Sequence, residues 1–490
     1  MITHRKSGKW SVLFVVTLVS FITNLDATIV VNGLPPLMED LHLSLELGMW
    51  TLTSFYITST VFLLPAGRWS DMFGTKRIFL WGFALFTIAT ALCGMAGSGT
   101  VLILARLLQG AGAAMAMAAS TPILMRTFPP QELGRALGIN NISWVTGSLL
   151  GPVVGGALIG GFGWRSMFYV IVPLGILGLI AGVFILRESA ELQKARTDWL
   201  GLLTYGTGLT AFLIVLSEAQ TWGWASSITL GLLALGILLW IAFVFIEKKV
   251  RHPLFDLGLL GYRDYTIGLG ITASYCIGYF AVSILLTLYL QGAQHLSPLE
   301  AGLMLIPLSV PQLFTAPLGG KLADRFGPAR MILLGSFLIG LAILLLGQLG
   351  AEMSGAAVII PLLIISAATG LSWPSLAKAV LSAAPPNQAG PASGVFWTVY
   401  NMCRAISQAL VLVIIQWVAK SDVASHLLSG AQNHDMSSSR DALIHATNVG
   451  FRLFAAFLAL AILLGLFLLG TQRKRQGTRP IKNSEKVEFE

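Results

Sequence analysis

Apolar residues fill this chain in long blocks, broken at intervals by short charged links or links rich in glycine and proline. A helix that crosses a bilayer needs about 20 apolar residues. Runs of that kind lie near 11–36, 48–66, 78–96, 101–122, 137–160, 164–186, 199–217, 227–246, 264–290, 300–318, 331–349, 355–377, 393–417 and 448–470. The pattern predicts fourteen membrane-spanning helices, which puts both termini on one side. The basic start HRKSGK leads into an apolar run longer than the ~7–15 residues of a signal-peptide core, so the first run is read as a retained helix.

Composition agrees with the pattern. Of 490 residues, 55% are hydrophobic and only 11% charged, whereas a soluble chain carries about 25% charged residues. The placement of the cations sets the orientation. With both termini assigned to the cytoplasm, the inner segments hold 25 Lys and Arg residues and the outer loops hold only Lys420 and Arg440. Such a split is the positive-inside signal of a multi-pass plasma-membrane protein. It also accounts for the net charge of +9 without a nucleic-acid partner. Cys93, Cys276 and Cys403 lie inside apolar runs without CxxC spacing and are read as packing residues.

An internal repeat divides the chain. GRWSDMFGTKR at 67–77 and GKLADRFGPAR at 320–330 share Gly67, Asp71, Gly74 and Arg77 against Gly320, Asp324, Gly327 and Arg330. Each follows the second helix of a six-helix set. The expected organisation is a six-helix bundle over 1–186 and two inserted spanning helices with cytoplasmic linkers over 187–263. A second six-helix bundle follows over 264–470, with an external loop at 418–447, then a disordered cytoplasmic tail at 471–490. Parallel six-helix repeats are an architecture of secondary transporters, with the binding site between the halves near the midplane. The basic front of the tail suits an anionic lipid surface.

Three features stand out against the apolar background. Asp26 is the one carboxylate well inside a predicted helix; Glu218 stands at the outer end of the seventh. An ionised group at such depth costs at least ~2.5–3.5 kcal/mol on insertion scales and marks function by default. Arg106 lies at a depth in the fourth helix where it can meet Asp26 directly or through water, and Gln109, one turn on, faces the same way. In the fifth helix Gly147, Gly151 and Gly155 form a bare ridge that admits a close backbone, with Pro152 permitting a bend.

These residues carry a resemblance. LDATIVVNGLP (25–35), GRWSDMFGTKR (67–77), ARLLQGAGAAM (105–115) and GSLLGPVVGG (147–156) stand in order at the first, second, fourth and fifth helices. Together they resemble the signatures of the fourteen-helix drug:proton antiporters of the major facilitator superfamily, over essentially the whole chain. The resemblance implies an all-α integral membrane protein with the major facilitator fold. It further implies a proton-coupled antiporter that exports drugs, antiseptics or dyes by alternating access, of the multidrug-efflux and antibiotic-resistance type. The buried charges themselves make Asp26 the expected carrier of the driving proton, with Arg106 modulating it and Glu218 as a further proton-coupling candidate. The resemblance also implies that Asp71 and Arg77 help hold the cytoplasmic ends of the halves together in the outward-open state, while Asp324 and Arg330 of the second repeat and the helix-5 glycines are gating candidates.

The chain departs from the family where Trp397, Tyr400 and Arg404 replace the usual Asn, Arg and Gly, and where Ile171 replaces an Asn. Tyr275, Tyr279, Trp373, Trp397 and Tyr400 are candidates for an aromatic pocket, with Gln109, Asn401 and Arg404 as polar candidates. A buried arginine where a small residue is usual should meet a cavity, a carboxylate or a phosphate, so export of an anionic or zwitterionic amphiphile, such as a lipid or metabolite, is the alternative. A membrane-embedded enzyme is disfavoured. No histidine falls inside a predicted helix, no HExxH or metal-ligand cluster occurs, and no GxxxxGK[ST] is present to bind ATP. The expectation is a monomer with no cofactor and no metal, working on a small-molecule substrate and protons within membrane lipid. A non-transporting scaffold is the remaining class.

Overall fold

The computed structural model describes residues 8–188, 198–250, 253, 257–385, 389–419 and 436–477, and all regular structure among them is helical. Fourteen long helical segments follow one another: α1 Lys9–Asn32, α2 Leu45–Phe73, α3 Thr75–Gly94, α4 Gly99–Thr127, α5 Pro130–Phe162, α6 Ser166–Ile185, α7 Trp199–Trp222 and α8 Ser227–Lys249. The second set is α9 Arg263–Ala293, α10 Pro298–Phe326, α11 Pro328–Leu346, α12 Gly355–Leu381, α13 Ala389–Ala419 and α14 Met436–Gly477. Twelve of them carry, among the described residues, a stretch long and apolar enough to cross a membrane; in α5 the apolar part is Leu150–Phe162. Helices satisfy their own backbone groups, which is what a hydrocarbon surrounding demands.

Local chemistry sets most boundaries. Ser44, Ser98 and Ser226 accept the first orphan amides of α2, α4 and α8, and Asp198 does so for α7. Ser297 and Glu300 form a capping box at the start of α10. Gly74 (φ 103°) and Gly327 (φ 89°) stand at the same place in the two repeats and turn the chain between helices 2 and 3 of each set. Positive φ at these sharp turns is what requires glycine there.

Several expected boundaries shift. The first run was expected to reach residue 36, but α1 ends at Asn32 and a separate short helix, Leu34–Asp40, begins with proline in its first turn. Proline also divides α10: a 3-10 turn at Ile306–Leu308 follows Leu305, beside Pro307 and Pro311. Helix α9 closes in a π turn, Leu288–Ala293. The segment expected as an external loop over 418–447 is partly helical, since α14 starts at Met436 and places His445 within a helix; residues 420–435 lie outside those described. Likewise α14 runs to Gly477, inside the expected tail, whose remainder lies outside the described residues, as do 189–197 and most of 251–256 of the charged linkers.

Helices α1–α6 pack among themselves, as do α9–α14, and the two bundles meet along α2 with α13 and along α5 with α10. The inserted pair, α7 and α8, pack on each other, and α7 lies across the α2–α13 seam. Only 17% of the apolar window of α8 is buried within the protein, which fits a helix facing lipid. Below, the near face is that of Lys9, Gly74 and Gly327, and the far face that of Asn32, Gly163 and Ser297.

Candidate functional site

Two buried arginines organise the centre of the molecule, one in each bundle. In the first, Asp26 of α1 and Arg106 of α4 are both fully buried, and Arg106 Nη1 lies 2.7 Å from Asp26 Oδ2. Gln109 lies on the same face of α4, one turn away, and completes the group. Its Nε2 donates to Asp26 Oδ1 (2.8 Å) and Thr90 Oγ1 (2.7 Å), while its Oε1 accepts from Arg106 Nη1 at 2.5 Å. Arg106 Nε donates to the Thr51 carbonyl at 2.9 Å, and its guanidinium stacks 4.4 Å from the centre of the Phe55 ring. Four helices thus supply a small polar network inside an apolar bundle, with Arg106 Nη2 left without a partner. The sequence placed Gln109 among substrate-binding candidates, but it turns into this network and away from the central cavity.

The central cavity, of about 160 Å³, lies between the bundles. Asn24 and Thr28, on either side of Asp26 in α1, and Tyr56 of α2 line it from the first bundle. From the second bundle come Tyr275, Tyr279, Phe280, Trp373, Tyr400 and Arg404. Their rings form one continuous wall: Tyr275 stacks on Tyr279 (6.2 Å between centroids), Tyr275 approaches Trp373 (6.2 Å), and Trp373 approaches Tyr400 (5.2 Å). Trp397 extends the wall, 5.3 Å from Tyr400, and meets Trp144 of the first bundle at 5.9 Å. Asn401 borders a smaller adjoining cavity and donates to the Trp397 carbonyl.

Arg404, 8% exposed, is placed differently from Arg106. Its guanidinium lies between the rings of Tyr56 (4.4 Å) and Phe280 (4.6 Å) and makes no ion pair or hydrogen bond among the described residues. Phe55 and Tyr56 are adjacent in α2, their rings 5.2 Å apart, so two consecutive aromatic side chains separate the two arginines.

At the far face the bundles are hydrogen-bonded together. Asn32 Nδ2 donates to the carbonyls of Pro152 (3.1 Å) and Pro298 (2.8 Å), and Gln291 Nε2 donates to both oxygens of Asn32. Gln291 sits in the π turn of α9. Gln416 Nε2 donates to Glu46 at 2.9 Å, joining α13 to α2. Here the backbones touch: a Cβ on Gly302 would stand 2.1 Å from the Pro152 carbonyl oxygen, and one on Gly156 2.5 Å from Leu299 Cα. The expected glycine ridge itself packs within its own bundle. Cβ atoms on Gly147, Gly151 and Gly155 would strike Phe21 O, Thr28 Oγ1 and Ile29 Cγ1 of α1. Glu218 is at the far end of α7, bonded to Trp50 Nε1 at 2.9 Å and away from Asp26.

At the near face Glu188 accepts from the backbone amides of Lys76 and Arg77 at the start of α3, and Arg77 Nε lies 3.7 Å from the same carboxylate. Arg77 therefore pairs within its own half. Asp324 pairs with Lys378, Arg330 is exposed, and the side chain of Asp71 lies outside those described. No group of three potential metal ligands occurs among the described residues. Sequence reasoning missed Tyr56, Phe280, Asn32, Gln291 and Glu188. Asn32 and Gln291 carried a faint signal, as amides at the ends of long apolar runs.

A family model described as Major Facilitator Superfamily matches residues 16–408. The chain is 28% identical over 468 residues to the riboflavin transporter RibZ of Clostridioides difficile, covering 94% of this chain and 98% of that one. It is 32% identical over 405 residues to the multidrug resistance protein Stp of Mycobacterium tuberculosis, covering 81% of this chain and 73% of that one. A solved bacterial homologue of the human lysosomal transporter Spinster, inward-facing and unoccupied, superimposes with a TM-score of 0.67. Its identity is 16%, covering 95% of this chain and 98% of that one, a likeness of fold alone.

Proposed function

Because the chain belongs to the Major Facilitator Superfamily, we propose that it exports aromatic amphiphilic molecules, drugs among them, in exchange for protons. The exchange runs by alternating access across the plasma membrane, with both termini cytoplasmic and the far face outside. The carrying observation is the fully buried Asp26–Arg106–Gln109 network next to an aromatic cavity lined by Asn24, Ala27 and Thr28 of the same helix as Asp26. A buried ion pair adds little stability compared with apolar packing, so its presence in a membrane bundle calls for another reason. Proton binding to Asp26 supplies one. Arg106 and Gln109 occupy the two carboxylate oxygens, and a helix movement that withdraws either donor leaves an oxygen free to take a proton.

In this reading the far-face contacts of Asn32, Pro152, Gly156 and Gly302 form the outer gate. They part when α5 and α10 separate, and Asp26 then gains a path to the outside through the wall at Asn24 and Thr28. The Asp71 and Arg77 region closes the opposite face in that state. Relatives named as a multidrug resistance protein and a riboflavin transporter support an organic small molecule as cargo. The protein works as a monomer, since the cavity is complete within one chain.

The test is proton-gradient-driven dye efflux from vesicles holding the purified protein. Asp26→Asn is expected to abolish gradient-driven exchange while the protein still inserts and folds. Full proton-coupled transport by that variant would refute the assignment.

A further inference from the structure

The cavity's electrostatics narrow its cargo. Arg404 is more than nine-tenths buried on the cavity wall, and among the described residues no acid faces it. The nearest interior carboxylate, Asp26, is turned away and occupied by Arg106 and Gln109. The rings of Tyr56 and Phe280 make cation–π contacts with the guanidinium, at 4.4 and 4.6 Å from its carbon. A guanidinium carries five N–H donors, and those of Arg404, which lines the cavity, make no hydrogen bond among the described residues. Around it, the buried side chains of Tyr56 and Gln408 add a hydroxyl and an amide to the cavity wall. Beside this polar corner runs the wall of Tyr275, Tyr279, Trp373 and Tyr400.

We infer that the cavity selects aromatic anions, with the ring against Trp373 and the two stacked tyrosines and a carboxylate or sulfonate on the edge of Arg404. This rests on the reading above that the cavity is the transport site. A lipophilic cation would gain from the rings but meet an uncompensated like charge in a low-dielectric site, where repulsion is strong. An anion would convert Arg404 from a buried cation without a counter-charge into half of a bidentate pair. There is an energetic corollary. Exchange of one inbound proton for one outbound monoanion moves two charges, so an inside-negative potential drives it, whereas proton-for-cation exchange is electroneutral.

The experiment uses three naphthalene probes of nearly equal shape: naphthalene-2-sulfonate, 2-naphthalenemethanol and (2-naphthylmethyl)trimethylammonium. Binding to the full-length protein in lipid nanodiscs is read by quenching of tryptophan fluorescence. The sulfonate is expected to bind about tenfold or more tighter than the alcohol, and the trimethylammonium weakest. Arg404→Gln should erase the sulfonate's advantage, and Arg404→Lys should keep part of it. Equal binding of all three probes by the natural protein overturns the inference. So does a sulfonate preference that survives in Arg404→Gln, or a Lys variant that binds all three alike. Transport by the same protein in vesicles separates the two readings. Failure to pump any probe, with sulfonate preference intact, sinks the exporter and supports the anion site; pumping of the cation alone sinks the anion site and supports the exporter.

Discussion

Arg106 and Arg404 are the same side chain at similar burial, yet the protein treats them in opposite ways. Arg106 has a carboxylate at 2.7 Å, an amide at 2.5 Å, a backbone carbonyl at 2.9 Å and the ring of Phe55 beneath it. Arg404 has two rings and a cavity. The first is held within one bundle by a carboxylate, an amide and a carbonyl, and changes only if a proton or a helix moves. The second sits between bundles, since Tyr56 belongs to α2 and Arg404 to α13. Any separation of the halves pulls one ring off it. Charge is thus stored in the first bundle and presented to the cavity by the second.

The largest expected consequence is in stability. Arg106→Gln leaves Asp26 buried without its partner, and breaking a buried pair from one side costs about 3–5 kcal/mol. Arg404→Gln removes a buried charge and orphans no acid, so its change stays within about 1 kcal/mol or goes the other way. Thermal unfolding of the two purified variants in one detergent makes the contrast directly. Adding Asp26→Asn to Arg106→Gln should restore most of the loss. Equal destabilisation by the two arginine substitutions would show that the arginines do not differ in the way the geometry states.

A smaller effect tests whether the second site changes with the state of the molecule. Gly302→Ala places a methyl 2.1 Å from the Pro152 carbonyl oxygen, a backbone atom that cannot swing aside. Overpacking of this kind costs about 1–3 kcal/mol. Here the strain is relieved by parting α10 from α5, which opens the far face. Cys276 lines the cavity and reports the change. With Cys93 and Cys403 replaced by serine, labelling of Cys276 by a membrane-impermeant maleimide from the far side should rise several-fold in Gly302→Ala. Unchanged labelling would mean that the far-face contacts are static packing.

Much of this was legible beforehand, for identifiable reasons. Fourteen apolar runs map onto fourteen long helices because hydrocarbon thickness fixes helix length, a constraint that acts on sequence directly. The repeated turn glycines, Gly74 and Gly327, were visible because positive φ restricts residue type. Asp26 and Arg106 were visible because charge is rare at depth. The partners of Arg404 were not. Tyr56 and Phe280 sit on helices 2 and 9, distant in sequence, and an aromatic residue in an apolar helix carries no mark of what its face will meet. The far-face contacts were hidden in the same way. Gly151 and Gly302 look alike in sequence, yet one crosses within a bundle and the other between bundles. The proline breaks at 35 and 307 were misread as continuous spans because hydropathy ignores the missing amide.

The smallest effect supplies the control for burial. Asp40 and Arg165 also pair closely, at 2.6 Å, but at the far surface, with side chains 49% and 38% exposed. The Trp164 indole N–H, which donates to Asp40, and then the Arg165 guanidinium hold this carboxyl below its ordinary range. A lowered folded-state value means the pair's stabilisation is complete above the ordinary carboxylate range and is lost as pH falls through the lower folded value. Because water screens the pair, the amount at neutral pH is about 1 kcal/mol or less. Asp40→Asn should therefore lower the unfolding midpoint slightly at pH 7, with the difference from the natural protein shrinking as the medium is acidified. Were this exposed pair to cost as much as Asp26–Arg106 when broken, burial would not be what distinguishes them. The contrast between the two central arginines would then need another cause.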